Sequence, residues 1–299
     1  MTKNNNNTPP EIYIFDADAR STNLYQRLQE IIAYRYLLYN LVMRDLKSRY
    51  KDSLLGVLWS MLNPLGLMLV FTALFTVLSG DGDTAPQRYP IFVLVGLMPW
   101  NFFSGALLSG TTAIVGNGGL IKKVYFPREL LILASLLSNL VNFLIAAILF
   151  VVLLYIFGLN LTIHALWVPV ILLIQIIFTL GLVFLLGSIN VFYRDVLMVL
   201  DVVILAWFFL TPIFYPFSQF GEYTELLGIG FSPAQLMRWL NPMASIVDGY
   251  RTVLWGADGS GGVSMNLAYI ARTFITSLLV LITGYTVFRR TEHLFGEKL

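Results

Sequence analysis

A chain of 299 residues with 57% hydrophobic and only 12% charged side chains departs from a soluble domain, which usually carries roughly twice that charged fraction. The net charge of +2 gives no basis for nucleic-acid binding, and the absence of cysteine excludes disulfides and thiol chemistry. Several uncharged runs are long enough, at roughly 20 residues, to cross a bilayer core as helices. Because backbone groups in hydrocarbon must bond within their own segment, the sequence predicts an all-α integral membrane protein.

The N-terminal 53 residues are predicted to lie outside the membrane. Residues 1–20 lack the basic and apolar regions of a cleavable signal peptide. They are instead expected to be a disordered polar leader. Residues 21–53 are a cytoplasmic interface segment. Its first helix is amphipathic, with four apolar side chains on one face and four polar ones on the other: Leu24, Leu28, Ile31 and Ile32 against Gln26, Arg27, Gln29 and Glu30. Such a helix is expected in the plane of the membrane interface; the alternative is a soluble helix packed on a partner.

A transmembrane domain is predicted over residues 54–290, followed by a cytoplasmic tail at 291–299. Its six transmembrane helices are expected at about 55–79, 91–112, 130–157, 166–190, 196–215 and 267–288. All but four of the 19 Lys and Arg residues fall on one side of this arrangement, the exceptions being Arg88, Arg238, Arg251 and Arg272. The positive-inside rule then places both termini in the cytoplasm.

The segment between the fifth and sixth spans, 216–266, is predicted to be extracytoplasmic and partly helical. Apolar residues recur there at helical spacing on both sides of Asn241-Pro242, which favours two short helices broken at that point. Because they are too short to cross a bilayer, they are expected to be re-entrant helices that dip into the outer leaflet. The alternative is a folded extracellular cap.

Sequence motifs for catalysis are absent from the chain. It contains no GxxxxGK[ST] phosphate-binding loop, no HExxH zinc motif and no GxSxG nucleophile motif. No cofactor or metal site is therefore expected. Charges within the predicted spans are scarce, with Asp201 and Arg272 both near span ends, whereas an ion-coupled carrier needs ionisable residues in mid-span. Energy for any transport is expected to come from another protein.

Six motifs occur in order along the chain: RDLKSRYKDSLLGVLWSMLNPL at 44–65, GLMPWNFFSGAL at 96–107, NGGLIKKVYFPRELL at 117–131, NVFYRDVLMVL at 190–200, FFLTPIFYP at 208–216 and LNPMASIVDGYRTVLWG at 240–256. Together they resemble the membrane subunits of ABC-2 type exporters, especially those for O-antigen, capsular polysaccharide and teichoic acid, over roughly residues 40–290. That family similarly has re-entrant gate helices between its last two spans. In the first motif, the matching residues at the interface helix and first-span entry include Arg44, Lys47, Arg49, Tyr50 and Trp59.

The resemblance implies a homodimer in the bacterial inner membrane, bound to two copies of a cytoplasmic ABC ATPase that carries ATP and Mg. The implied substrate is a lipid-linked polysaccharide. A rigid cytoplasmic connection must then transmit the motion of the ATPase, and the third motif is the best candidate. The ATPase-coupling residues expected there are Gly118, Gly119, Lys122, Lys123, Phe126, Pro127 and Arg128. The glycines permit a sharp turn and the proline suits the start of a helix. For the two lysines, a simple positive-inside anchor is an equal alternative.

Aromatic side chains make up 14% of the chain, and flat rings suit the apolar faces of sugars. The residues expected in the translocation path or gate are Trp207, Tyr215, Trp239 and Tyr250. For any single ring, an ordinary interfacial aromatic belt is the competing explanation. Two other functions stay open from sequence: an ABC-2 exporter of a drug or lipid, and a multispan glycan-modifying enzyme that uses lipid-linked donors.

Overall fold

The computed structural model describes residues 24–53, 55–79, 88–158, 160–217, 224–226, 229–256 and 261–299. The predicted leader at 1–20 lies outside the described residues. In chain order the helices are α1 Leu24–Ala33, α2 Arg35–Tyr50, α3 Trp59–Ser79, α4 Tyr89–Gly116, α5 Gly118–Ile121, α6 Glu129–Ile156, α7 Val168–Phe192, α8 Val196–Leu210, α9 Pro233–Leu240, α10 Pro242–Leu254, α11 Leu267–Thr291 and α12 Phe295–Lys298. Short 3-10 turns precede α3 and α7 at Gly56–Leu58 and Ile163–Trp167, and a third, Glu292–Leu294, joins α11 to α12.

Helix dominates the described chain, as predicted, with one exception. Strands β1 (Thr224–Leu226) and β2 (Ile229–Phe231) pair antiparallel, with Thr224 opposite Phe231. This two-stranded hairpin precedes α9 and was not anticipated by the all-α prediction. A pairing of three residues per strand gives little hydrophobic alternation, so the sequence pattern carries no clear signal for it.

In the described part of the chain, five helices are long and apolar enough to cross a membrane: α3, α4, α6, α7 and α11. Their bounds agree with five of the predicted spans to within a few residues at most ends. The remaining predicted span, 196–215, corresponds to α8, which has only 15 residues. At about 1.5 Å per residue it is about 22 Å long, which is less than the ~30 Å hydrocarbon core. The helix ends at Leu210, just before Pro212, and residues 211–216 continue as non-helical chain.

Helix α4 lies at the centre of the bundle and packs against α3, α6, α7 and α10. The most extensive helix pair is α7 with α11. Here Gly181 faces Gly284, and a Cβ atom added to Gly181 would lie 2.6 Å from the Cα of Leu281. Small residues matter at such contacts because lipid gives helices no hydrophobic drive to associate, so stability depends on close backbone packing. The pair therefore depends on both glycines.

The amphipathic N-terminal segment forms two helices, α1 and α2, separated at Tyr34. Arg27 of α1 is buried against the protein, whereas Gln26 and Gln29 are exposed, and Leu28 and Ile32 are 51% and 62% exposed. This outward apolar face is the arrangement that a helix beside lipid requires.

The predicted helix break at Asn241-Pro242 is present between α9 and α10. The side chain of Asn241 accepts a hydrogen bond from the backbone N–H of Ala244 at 3.2 Å, and Pro242 occupies the first position of α10. Both features start a helix, because the cap satisfies a free N–H and proline has none to satisfy. Helix α10 is buried against α4, α7 and α11, whereas α9 has no fully buried residue.

Candidate functional site

The connection from α4 to α6 has an exposed part, residues 122–125, which is called its tip, and a buried part, Phe126 and Pro127, which is called its base. Lys122, Lys123 and the two residues after them are exposed, whereas Phe126 and Pro127 are buried. Phe126 packs in a small hydrophobic cluster with Leu41 of α2 and with residues near the start of α6. The cluster packs the base of the connection against α2 of the interface segment. The exposed residues at the tip of the connection are therefore held next to a packed core.

The two glycines of this connection lie just after the end of α4. Gly118 and Gly119 open the short helix α5, and neither is among the glycines with positive φ. Neither therefore adopts the left-handed backbone conformation that favours glycine, and their part in coupling stays a prediction. A Cβ atom on Gly118 would lie 3.4 Å from the Cβ of Leu299, an ordinary contact distance, so Gly118 lies next to the C-terminal residue. Pro127 lies two residues before α6, which begins at Glu129.

A buried ion network lies directly beneath this connection. The Nε of Arg27 donates to Glu129 at 2.9 Å, and its Nη2 donates to Glu292 at 2.9 Å. The side chains of these three residues are only 10%, 1% and 5% exposed, respectively. Glu30 binds the same guanidinium at 3.0 Å, and Arg289 approaches Glu292 at 3.6 Å. The network joins α1, the start of α6 and the end of α11 at one point.

Electrostatics favour the charged form of Arg27 at this point. Burial by itself disfavours a charged guanidinium, but attraction to Glu129 and Glu292, with hydrogen bonds to Glu129 and Glu30, outweighs that cost. The pKa of Arg27 is consequently raised above its usual value. Sequence reasoning placed Arg27 on a polar helix face and overlooked both distant glutamates. The available signal was Glu129, an isolated acid at the start of a long apolar run.

The predicted C-terminal tail is folded onto the same region. The ring of Phe295 is fully buried, and the Arg128 guanidinium lies 5.8 Å from its centre. The contact between Leu299 and Gly118 extends this packing to the last residue. Residues 292–299 thus form part of the support beneath the α4–α6 connection.

Three of the five residues expected at the interface helix and first-span entry make side-chain hydrogen bonds to other helices or connections. Arg44 donates to Asn117 at 2.8 Å, which ties α2 to the start of the α4–α6 connection. Arg49 donates to Asn139 at 3.0 Å and Tyr50 donates to Asn142 at 2.7 Å, both on α6. Trp59 opens α3 and is 55% exposed. The fifth residue, Lys47, is exposed on α2.

The structure does not bring the expected path residues together. Trp207 is half-buried and donates to Asn241 at 2.8 Å. Tyr250 is only 2% exposed and its hydroxyl donates to Gln175 at 3.1 Å. Tyr215 donates to the carbonyl of Phe209 at 2.9 Å, and Trp239 is 63% exposed. Within one subunit, Trp207 and Tyr250 are therefore packed in the bundle, whereas Trp239 is on the surface.

Sequence reasoning also overlooked a structural role for Arg251. This residue is buried on α10, and its two terminal nitrogens donate to the carbonyls of Pro212 and Ile213. Its guanidinium lies 3.7 Å from the ring centre of Phe92 on α4. Arg251 therefore fastens the non-helical chain after α8 to both α10 and α4, and it satisfies two backbone carbonyls that lie outside any helix.

Comparison with known proteins identifies the family. A family model described as ABC-2 type transporter matches residues 36–255, which is well over half of the chain. The chain belongs to the ABC-2 type transporter family. The predicted resemblance is thereby confirmed, and this ABC-2 protein is assigned to a class of transporters rather than of enzymes. Among its described residues, no group of three His, Asp or Glu side chains is placed to hold a metal ion.

Individual relatives of this ABC-2 protein are named as export permeases or as transport proteins. It is 38% identical over 228 residues to the O-antigen export system permease protein RfbA of Myxococcus xanthus, covering 76% of this chain and 84% of that one. It is 28% identical over 260 residues to a Klebsiella pneumoniae protein of the same name, covering 86% and 92%. The polysialic acid transport protein KpsM of Escherichia coli is 26% identical over 259 residues, covering 84% and 92%.

Proposed function

We propose that this chain is the membrane-spanning permease subunit of an ATP-driven exporter that moves a lipid-linked polysaccharide across the bacterial inner membrane. The observation that carries the proposal is its similarity, over most of both chains, to a protein named as an O-antigen export permease. The second named relative class, a polysialic acid transport protein, also has a sugar polymer as cargo. The active unit is a homodimer with two copies of a cytoplasmic ABC ATPase.

The proposed topology has six spans with both termini in the cytoplasm. Five spans are the long apolar helices, and α8 with the non-helical residues 211–216 forms the sixth. The distribution of Lys and Arg supports this orientation. The interface helix α1 lies along the cytoplasmic surface, with its exposed apolar face toward lipid.

Helices α9 and α10 are proposed to be re-entrant rather than parts of an external cap. They have 8 and 13 residues, so at about 1.5 Å per residue neither reaches across the hydrocarbon core. The burial of α10 among α4, α7 and α11 supports insertion, because a cap resting on the bundle would pack only against helix ends. Arg251 and Asn241 anchor this pair to the chain after α8.

The α4–α6 connection is proposed as the ATPase-coupling surface. Lys122 and Lys123 are exposed at its tip, while Phe126 and the Arg27 network hold its base. A docking ATPase that pushed on this tip would move a rigid unit made of α1, the start of α6 and the C-terminal residues. Acidic side chains on the ATPase are the complementary partner for the two lysines.

The translocation path is proposed to run beside Tyr215 and Trp239, near the outer ends of the spans. Trp239 presents an exposed ring on α9, and the Arg272 guanidinium stacks 4.9 Å from its centre. Trp207 and Tyr250 are proposed to support the gate from within, since both are held by hydrogen bonds inside the bundle.

The deciding experiment co-expresses this chain with each candidate cytoplasmic ABC ATPase of the same genome. We expect the two to co-purify in a two-to-two complex, and the pair to restore surface polysaccharide to cells that lack their own exporter. Purified chain that modifies a glycan without ATP would support the enzyme alternative instead. Restored export of a drug or lipid, with no polysaccharide at the surface, would support a different ABC-2 cargo.

A cysteine-labelling experiment tests the topology, because the natural chain has no cysteine. Single cysteines are placed at Lys123 and at Ile163, which are both exposed. A membrane-impermeant maleimide should label the first only from the cytoplasmic side and the second only from the outside. Labelling of both positions from one side would overturn the orientation.

A further inference from the structure

A cavity of 320 Å³ lies where α2, α3, α4 and α6 meet, at the entrance to the first span. This volume is within the range of about 300–1,000 Å³ that is typical of small-molecule sites. The residues that give it its chemical character are Arg49, Trp59, Asn63, Asn101, Asn142 and Phe143. Neither the coupling surface nor the proposed outer gate uses this cavity.

Two side-chain amides in the cavity wall have donors without a partner in the described part of the protein. The Nδ2 atoms of Asn101 and Asn142 are both buried and make no hydrogen bond there. Asn142 is only 8% exposed, and its Oδ1 is held by the Tyr50 hydroxyl at 2.7 Å, which fixes the amide in place. Leaving a buried donor unpaired costs about 1–3 kcal/mol, so the site is built to receive hydrogen-bond acceptors.

One cation faces the same space. Arg49 is the only charged residue among the described residues that line the cavity. One of its N–H groups donates to Asn139 at 3.0 Å, and a guanidinium carries five N–H donors in all. The described lining thus has a net positive charge with no acid beside it, and the planar guanidinium suits a phosphate group.

The remaining wall is aromatic and flat. Trp59, Phe102 and Phe143 line the cavity, and the rings of Phe102 and Phe143 lie 5.5 Å apart. Aromatic faces pack well against the C–H faces of a pyranose ring, while its hydroxyl groups act as donors and acceptors for amides. A hydrophobic ligand would offer no acceptor to the two amide Nδ2 atoms or to the remaining N–H groups of Arg49, and a bare phosphate would make no contact with the rings.

We propose that this cavity binds a pyranose that carries a phosphate group, and so receives the sugar-phosphate end of the substrate. The inference rests on the proposed function and adds an entry site to it. Arg49 and Tyr50 end α2, and Trp59 begins α3. In the proposed topology these residues lie at the cytoplasmic interface, which is the depth at which the headgroup of a polyprenyl-linked sugar is found. Arg49 binds the phosphate, and Asn101 with Asn142 binds the sugar.

The test uses cysteine protection in the full-length protein in lipid nanodiscs. Ser60 lines the cavity, and Ser60→Cys provides a single thiol in the cysteine-free chain. We expect glucose 1-phosphate at about ten times its dissociation constant to slow maleimide labelling by about tenfold, because occupied sites are protected. Glucose alone and inorganic phosphate alone should not protect at the same concentration. Nanodiscs that contain a polyprenyl diphosphate-linked sugar should protect without added sugar phosphate.

The comparison of these two ligands identifies the source of the sugar phosphate. Protection by the lipid-linked form at much lower concentration supports a membrane-borne substrate, as proposed. Protection by soluble glucose 1-phosphate only would overturn the entry-site assignment. No protection by either form at saturating concentration would overturn the binding site itself.

Two variants connect the effect to named side chains. Asn101→Ala removes an amide whose Nδ2 makes no bond within the described structure, so it should reduce protection from about tenfold to about twofold without weakening the fold. Arg49→Gln should do the same by removing the phosphate ligand. Lys51→Gln removes a nearby exposed cation that does not line the cavity and should leave protection unchanged. Equal protection in Asn101→Ala and the parent would contradict the proposal.

Failure of the proposed binding site can be distinguished from failure of the proposed transport function. If the cavity gives no protection while the chain still co-purifies with its ATPase and restores export, only the binding site is wrong. If sugar phosphate protects the thiol introduced by Ser60→Cys but no ATPase associates and no export is restored, the proposed function fails.

Discussion

The Arg27 network gives the sharpest stability prediction. Replacing Arg27 with Met removes the cation that neutralises Glu129 and Glu292, whose side chains are 1% and 5% exposed. Removing one partner of a buried ion pair typically costs 3–5 kcal/mol, because the remaining charge is left without compensation. Arg289 lies 3.6 Å from Glu292 and compensates only part of the charge that is left. We therefore expect a loss of about 3–5 kcal/mol.

The measurement is thermal unfolding of the purified chain in detergent, followed by tryptophan fluorescence. At about 2 °C per kcal/mol for a chain of this size, the midpoint should fall by roughly 6–10 °C. Glu30→Gln is the control, because Glu30 is the most exposed carboxylate that binds Arg27, at 27%, and should cost under about 1 kcal/mol.

A second variant tests whether the loss of stability comes from the uncompensated buried charges. Replacing Arg27, Glu129 and Glu292 together with Met, Leu and Leu removes every strongly buried charge of the network at once. Such replacements are often neutral or stabilising, so the midpoint should return close to that of the parent. A single Arg27→Met variant as stable as the parent, or a triple variant less stable than the single one, would refute the account of a buried network.

Three further predictions concern coupling, packing and the path. Reversing the charge of both Lys122 and Lys123 should weaken stimulation of the partner ATPase while membrane insertion is unchanged; unaltered ATPase activity and export would favour the anchor role. Gly284→Ala should lower the free energy of unfolding by about 1–3 kcal/mol, because the added Cβ would collide with the backbone of α7. Gly66→Ala is the control and should have little effect, because no atom lies within 4 Å of the added Cβ. Trp239→Leu should reduce surface polysaccharide at matched membrane abundance; export equal to the parent would place this ring in the interfacial belt.

The positions of the membrane helices were determined by the sequence alone. The lengths of the uncharged runs predicted α3, α4, α6, α7 and α11 because a bilayer imposes both apolar composition and a minimum length on each span. The break between α9 and α10 was also predictable, since Asn241 and Pro242 act on the backbone next to them. Both kinds of information are local.

Partners among polar side chains were decided only by the tertiary structure. Arg27 is separated from Glu129 by 102 residues and from Glu292 by 265, so no local pattern links them. The sequence showed that α1 is amphipathic but not which of its residues meet the protein, and here Arg27 is buried beside two carboxylates, Glu129 and Glu292. The cavity beside Arg49 likewise needs four helices to meet. The length of an apolar run specifies where a helix lies in the sequence, whereas the packing of the helices determines which charged and amide side chains are in contact.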